Sequence, residues 1–165
     1  MFSTFDHFLG AITVRFHRIL LGKKPDMSLI NQNLSVGGVS KIEYLAKEGI
    51  MAIVDMRAEA QDDPVEIKRF KINYVRLSVQ DRGIPDLNEV LDMITWIRDQ
   101  CKQGSKVFIH CNLGRGRGPL MTVLYLISEG MKTDEAIQTV RKARPYCYFN
   151  PIQLQMIKKF SHNLS

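Results

Sequence analysis

Apolar side chains at Phe5, Phe8, Leu9, Ile12, Phe16, Ile19 and Leu20 recur at spacings of three and four, which predicts an amphipathic helix over residues 4–21. Gly22 and Pro25 close it. Beyond Pro25 the pattern changes to short apolar runs that alternate with amphipathic stretches. Asn33–Val36 reads as a short strand before a Gly37–Gly38 turn, and Ser40 as the N-cap of a helix through Lys47 that Gly49 ends. Ile50–Asp55 is an apolar run of the buried-strand kind. After the polar stretch Arg57–Asp63 come a short helix over Val65–Phe70 and a strand over Asn73–Val79. The Gln80–Asp86 loop carries Gly83 and Pro85. Leu87, Val90, Leu91, Ile94 and Ile97 mark one face of a helix to Lys102, and Lys106–His110 reads as another buried strand. A glycine-rich segment, 111–118, leads into an apolar helix over Pro119–Glu129. Thr133 caps a helix to Arg144, and Pro151 opens a last helix through Phe160.

Strands that alternate with helices predict an α/β fold, a central, mostly parallel sheet of four to five strands flanked by helices. The chain divides into an N-terminal amphipathic helical extension, 1–25, and one domain, 26–165, a size that buries a sufficient core without disulfides or a structural metal. Composition narrows the class. With 45% hydrophobic and 24% charged residues the chain is not disordered. Its three cysteines exclude a closed disulfide framework and point to a reducing, cytoplasmic compartment. No apolar run reaches the ~18 residues of a membrane span. Charge is uneven: residues 1–100 carry a net −1, and residues 101–165 hold 10 Lys+Arg against 3 Asp+Glu. That excess is either a solvated surface or the mark of an anion site.

The anion site has a candidate. Val107-Phe108-Ile109-His110-Cys111-Asn112-Leu113-Gly114-Arg115-Gly116-Arg117-Gly118-Pro119 runs from a strand through a glycine-rich loop into a helix. Helix N-termini present unpaired N–H groups and partial positive charge. Gly114 and Gly116 let successive N–H groups curl into a nest around a phosphate-sized anion. What holds phosphate also stabilises a thiolate at Cys111, and the planar fork of Arg117 suits two phosphate oxygens. A thiolate can attack phosphorus while the guanidinium and loop N–H groups take up the charge. This chemistry needs no metal and no cofactor. A poor leaving group needs a proton, for which Asp81 on the Gln80–Asp86 loop is the first candidate. Asp86 is the rival, though it falls where a helix N-cap belongs. Asp55 and Arg57, near a strand end, either line the cleft or merely order a loop. Cys101 and Cys147 read as partly buried thiols.

His110-Cys111-Asn112-Leu113-Gly114-Arg115-Gly116-Arg117 resembles the HCxxGxxR signature of the cysteine-dependent protein tyrosine phosphatases. Compact size, the Asp loop and the position of the motif are similar to the dual-specificity branch. Leu34–Gly38 resembles that branch's opening strand and turn, Gly49–Asp55 its G-I-x-x-V-(I/L)-(D/N) strand, and Arg144-Pro145 with the Gln153–Phe160 helix its C-terminal helices. The resemblance implies a dual-specificity phosphatase-like fold and a phosphocysteine intermediate. It also implies Cys111 as nucleophile, Arg117 as phosphate clamp and Asp81 as general acid. The backbone of Asn112, Leu113, Gly114, Arg115, Gly116 and Arg117 would cradle phosphate, with His110 setting the loop. One position departs: the family has Ser or Thr after the arginine, where this chain has Gly118. The missing hydroxyl normally hydrogen-bonds the sulfur as it leaves. Its loss is worth about 1–3 kcal/mol, so the expectation is an active but slow enzyme limited by its second step.

Substrate class stays open at this level. The signature implies phosphotyrosine and phosphoserine/threonine proteins. Arg115 is a second loop cation of the kind that lipid and inositol phosphate phosphatases carry, among them the mitochondrial phosphatidylglycerophosphate phosphatases, which the Leu77–Pro85 segment also resembles. Alternatively Arg115 faces solvent or a backbone carbonyl. Gly118 keeps open a phosphate-binding pseudophosphatase. The helix predicted over 4–21, flanked by Arg15, Arg18, Lys23 and Lys24, suits peripheral contact with an anionic membrane or a mitochondrial targeting role, or else docks on the catalytic core. Nucleic acid is excluded as a partner because no aromatic-interleaved basic face accompanies the charge. Arg141, Lys142 and Arg144 are expected to form a basic rim. Oligomeric state is not encoded in any of these features.

Overall fold

A computed structural model describes residues 24–163; the helix predicted over 4–21 lies outside them. The elements are β1 (Met27–Asn31), β2 (Leu34–Gly38), α1 (Ile42–Lys47), β3 (Ile50–Arg57), α2 (Pro64–Arg69), β4 (Asn73–Val79), α3 (Leu87–Lys102), β5 (Lys106–Cys111), α4 (Arg117–Ser128), α5 (Thr133–Ala143) and α6 (Pro151–Asn163). They build the expected α/β architecture around a five-stranded sheet of order β1-β2-β5-β3-β4. The β2/β5, β5/β3 and β3/β4 pairs are parallel, and β1 alone runs antiparallel, against β2. Parallel strands buried on both faces read as continuous apolar runs, which is why β3 and β5 stand out in the sequence. The larger core holds Val54, Val107 and Ile109 with the helical residues Ile97, Leu120, Leu124 and Ile157. The smaller one places Ile53 and Phe108 against Ile42 and Leu45 of α1.

Because β3, β4 and β5 are parallel, their carboxyl ends open at one edge of the sheet, where ligands bind in such folds. The loops that follow these strands, 57–63, 80–86 and 111–116, therefore converge there.

Five details depart from the sequence reading. Strand β1 was not expected: Met27–Asn31 is a half-exposed edge strand without clean alternation, its Leu29 64% exposed. Gly37 and Gly38 extend β2 rather than forming a turn. Ser40 is not the cap of α1; its hydroxyl donates to the Gly38 carbonyl and accepts from the Asp26 N–H, pinning the segment that enters β1. Nor does Thr133 cap α5, since its hydroxyl donates to Ser161 Oγ in α6. Helix α4 also starts earlier than Pro119, at Arg117. A proline is tolerated in the first turn because the N–H it lacks would have no intrahelical partner.

Candidate active site

Side chains alternate along β5. Val107, Ile109 and Cys111 face the larger core, while Phe108 and His110 stack on the other side with ring centroids 5.3 Å apart. Cys111 ends the strand, 4% exposed, at the floor of a cavity of about 600 Å³. Asn112, Leu113, Arg115, Gly116 and Arg117 line this cavity with it, and Asp81 closes one side. Gly114 turns away. Its φ of +63° is in the left-handed region, and a Cβ there would collide with the backbone of Gly37 and with Arg144 Nη2.

The loop is held from outside. Arg144 Nη2 donates to the Leu113 carbonyl at 3.0 Å and Arg144 Nε to that of Gly114. The same guanidinium grips both Asp26 oxygens, at 2.9 and 3.1 Å. At 4% exposure Arg144 is a buried buttress, which corrects the expectation that it joins Arg141 and Lys142 in a basic rim. The reason is that the loop's carbonyls point away from the cavity and need donors behind it. The Val39 N–H donates to the Asn112 carbonyl and the Tyr148 N–H to that of Arg115. Arg115 Nε donates to the Tyr146 carbonyl at 3.2 Å while its side chain borders the cavity.

Arg117 is buried and answered by a carboxylate that the sequence reading missed. Its Nη1 donates to Glu59 Oε2 at 2.6 Å and to the Val79 carbonyl at 2.9 Å, and Nη2 to Glu59 Oε1 at 2.7 Å. Asp81 Oδ1 lies 3.3 Å from Nη2. The Arg117 hydrogen bonds hold the Glu59 carboxyl down at about 2. The clue to Glu59 was positional: it sits two residues past the end of β3, the immediate parallel neighbour of β5, so its loop opens on the same edge. Asp86, by contrast, caps α3 in a reciprocal box with Glu89.

Behind the loop lies a buried polar cluster. In register, Asp55 of β3 stands beside His110 of β5. Arg57 donates through Nε and Nη2 to both Asp55 oxygens at 2.8 and 2.7 Å, and through Nη2 to Asp62 at 2.6 Å. Tyr74 Oη donates to Asp55. His110 Nε2 is 3.1 Å from Asp62 Oδ2, and Nδ1 is 3.3 Å from the Cys111 carbonyl. Asp55, Asp62 and His110 have a metal-ligand composition, but the Arg57 guanidinium already occupies the place of the cation. Of the two roles weighed for Asp55 and Arg57, ordering the 57–63 loop is the one their contacts serve. That loop holds both ends of the signature, His110 through Asp62 and Arg117 through Glu59.

Burial alone would raise the Asp55 carboxyl, but the hydrogen bond from Arg57, the facing His110 ring and the Tyr74 hydroxyl hold it below the usual range. A carboxyl held low favours the folded state above its unfolded value of about 3.9, and the contribution is lost as pH falls through the lower folded value. The difference in unfolding free energy between wild type and Asp55→Asn is expected to be flat from about pH 8 to 5 and to shrink below about pH 4. Urea melts at stepped pH check this.

Gly118 sits at a close approach of two elements. A Cβ there would sit 3.3 Å from the His110 carbonyl carbon and 3.4 Å from the Cys111 nitrogen, where α4 starts hard against the end of β5. Gly118→Ser is expected to speed breakdown of a covalent intermediate about 5- to 150-fold, the worth of one hydrogen bond to sulfur. Gly118→Ala carries the crowding without the hydroxyl and is expected only to slow the enzyme. Rapid-quench kinetics of both variants separate the two effects. Cys147 is buried and Cys101 half-buried, and burial pushes both thiols up.

A cysteine under a glycine-shaped loop, an arginine in the first turn of the next helix and a carboxylate facing it form the arrangement expected of a cysteine-dependent phosphatase. The dual specificity phosphatase catalytic domain model matches residues 34–163, and the chain belongs to that family. It is 27% identical over 174 residues to human phosphatidylglycerophosphatase and protein-tyrosine phosphatase 1, covering 96% of this chain and 81% of that one. It is 32% identical over 123 residues to bovine protein tyrosine phosphatase type IVA 3, covering 73% and 70%. Among solved structures it is similar to PTPMT1 in complex with PI(5)P, with a TM-score of 0.77 and 23% identity over 84% of this chain and 96% of that one. Human DUSP28 gives a TM-score of 0.74 at 20% identity over 85% and 95%. The chain is thus an enzyme, a cysteine-dependent phosphatase of the dual-specificity branch. No helix among the described residues is long and apolar enough to cross a membrane.

Proposed function

We propose that the enzyme hydrolyses phosphomonoesters through a phosphocysteine, and that the convergence of Cys111, Arg117 and Asp81 on one cavity carries this reading. Cys111 Sγ attacks phosphorus, a sulfur–phosphorus bond forms, and the phosphorus–oxygen bond to the leaving group breaks. Asp81 gives that oxygen its proton. Water then attacks phosphorus, its proton passes to Asp81, and thiolate and phosphate separate. The bonds to Glu59 and Val79 use three of the five guanidinium N–H donors of Arg117. The cation can therefore stay fixed by Glu59 and still donate to phosphate. The loop backbone from Asn112 to Arg117 supplies the remaining donors, and His110 sets the loop from behind. Neither a metal nor a cofactor has a part in these steps.

The substrates this reading favours are phosphotyrosine and phosphoserine/threonine proteins. A second reading, a phospholipid or inositol phosphate, has its own support. Arg115 borders the cavity close to Arg117, one relative is named a phosphatidylglycerophosphatase, and one similar structure holds PI(5)P. The test is hydrolysis, with a chelator present, of phosphopeptides and of anionic phospholipid vesicles, compared by kcat/KM. Asp81→Asn is expected to lower kcat/KM about 10²- to 10⁴-fold for an alkyl phosphate and far less for a nitrophenyl ester, whose leaving group departs unprotonated. Equal losses on both esters would remove Asp81 as the acid.

A further inference from the structure

The loop that carries Asp81 has little to hold it. Asp81 is 76% exposed in its side chain. Arg82 has a φ of +61°, a conformation that a non-glycine residue keeps only when its surroundings fix it. Within the loop the Gly83 N–H donates to the Gln80 carbonyl at 2.9 Å. Asp81 also pairs with Arg117 at 3.3 Å, and two further bonds come from a distant element. Helix α6 opens with a reciprocal cap: Asn150 Oδ1 accepts from the Gln153 N–H at 3.0 Å, and Gln153 Oε1 accepts from the Asn150 N–H at 3.2 Å. Each side-chain amide then has its NH₂ left to donate, and both reach the same stretch of loop. Asn150 Nδ2 donates to the Arg82 carbonyl at 2.7 Å, and Gln153 Nε2 to the Gly83 carbonyl at 3.1 Å. These carbonyls belong to the two residues that follow Asp81. Gln153 is 1% exposed, so its amide has little freedom to leave.

We infer that Asn150 and Gln153 are positioning residues that latch the acid loop over the cavity and so hold Asp81 beside Arg117. The inference rests on the reading of Asp81 as proton donor. One helix cap thus serves two ends: its oxygens start α6 and its nitrogens fix the loop. With the latch broken, Arg82 relaxes out of the left-handed region and Asp81 leaves the position facing Arg117. The loss falls on the step that needs a proton.

Asn150→Ser tests this cleanly, because serine caps a helix about as well as asparagine but does not supply the amide N–H that reaches Arg82. The measurement is kcat/KM for an alkyl phosphate and for a nitrophenyl phosphate, in wild type, Asn150→Ser, Asp81→Asn and the double variant. The expected result is a fall of about tenfold or more in the alkyl-to-nitrophenyl ratio for Asn150→Ser, part of the 10²- to 10⁴-fold that a general acid provides. In the Asp81→Asn background the same change is expected to leave the ratio where it was, since residues acting as one unit are not additive. Parallel losses on both esters, or an unchanged ratio in Asn150→Ser while Asp81→Asn shifts it, would overturn the latch and leave the acid in place. An Asp81→Asn variant with the wild-type ratio would overturn both.

Discussion

Cys111→Ser is expected to lower kcat by about 10⁴-fold or more, with the folded state and the phosphate cavity intact. The size of the effect follows from the chemistry. A serine hydroxyl at this position has no base within its own loop to deprotonate it, and an alkoxide is a far worse leaving group than a thiolate when water attacks the intermediate. On the proposed reading the donors to phosphate are backbone N–H groups and Arg117, none of which the substitution touches. Substrate should therefore still bind, and the variant should hold a phosphorylated ligand without consuming it. Isothermal titration with phosphopeptide or inositol phosphate, beside a turnover assay, reads both properties. Turnover that survives the substitution would rule out the phosphocysteine.

The second large effect is expected at Arg117. Arg117→Ala should lower kcat/KM about 10³-fold or more, beyond the loss of hydrogen-bond donors alone, because Glu59 is left behind. In the intact protein both Glu59 oxygens are bonded to the guanidinium at 2.6 and 2.7 Å. Without it, the Glu59 and Asp81 carboxylates both face an incoming phosphate, with one cation fewer between them. Glu59→Gln placed on Arg117→Ala is therefore expected to recover about tenfold, while Glu59→Gln alone costs activity by loosening the guanidinium. This sign reversal, measured as kcat/KM over the four enzymes of the cycle, distinguishes coupling through Arg117 from two independent roles. Simple additivity would refute the coupling.

The contrast between Arg117 and Glu59 also shows what was readable from the chain. The signature is a local device. Strand, loop and helix follow one another within 106–128, so spacing alone brings cysteine, glycine and arginine to one cavity. Apolar runs at β3 and β5, the helical stripe of α3 and the apolar run of α4 gave the layers for the same reason, since each pattern is local. Glu59, Asn150 and Gln153 reach the site only through the sheet order and the docking of α6, and nothing in their neighbourhood marks them. Arg144 was read as surface because charge is usually solvated. Its partner Asp26 is 118 residues away. Strand β1 was missed because an edge strand that need not bury both faces does not produce a strong pattern. The helix predicted over 4–21 keeps only its sequence argument.

The Asp26–Arg144 pair has a consequence for how the site comes into being. The carbonyls of Leu113 and Gly114 are held by a side chain whose counter-ion lies 118 positions back along the chain. Contacts of such long sequence separation form only after the intervening chain has been gathered in. The signature is thus a short motif whose shape is a long-range property. A nascent or N-terminally trimmed chain can contain all of HCxxGxxR and still lack the pair that braces its loop into a phosphate site.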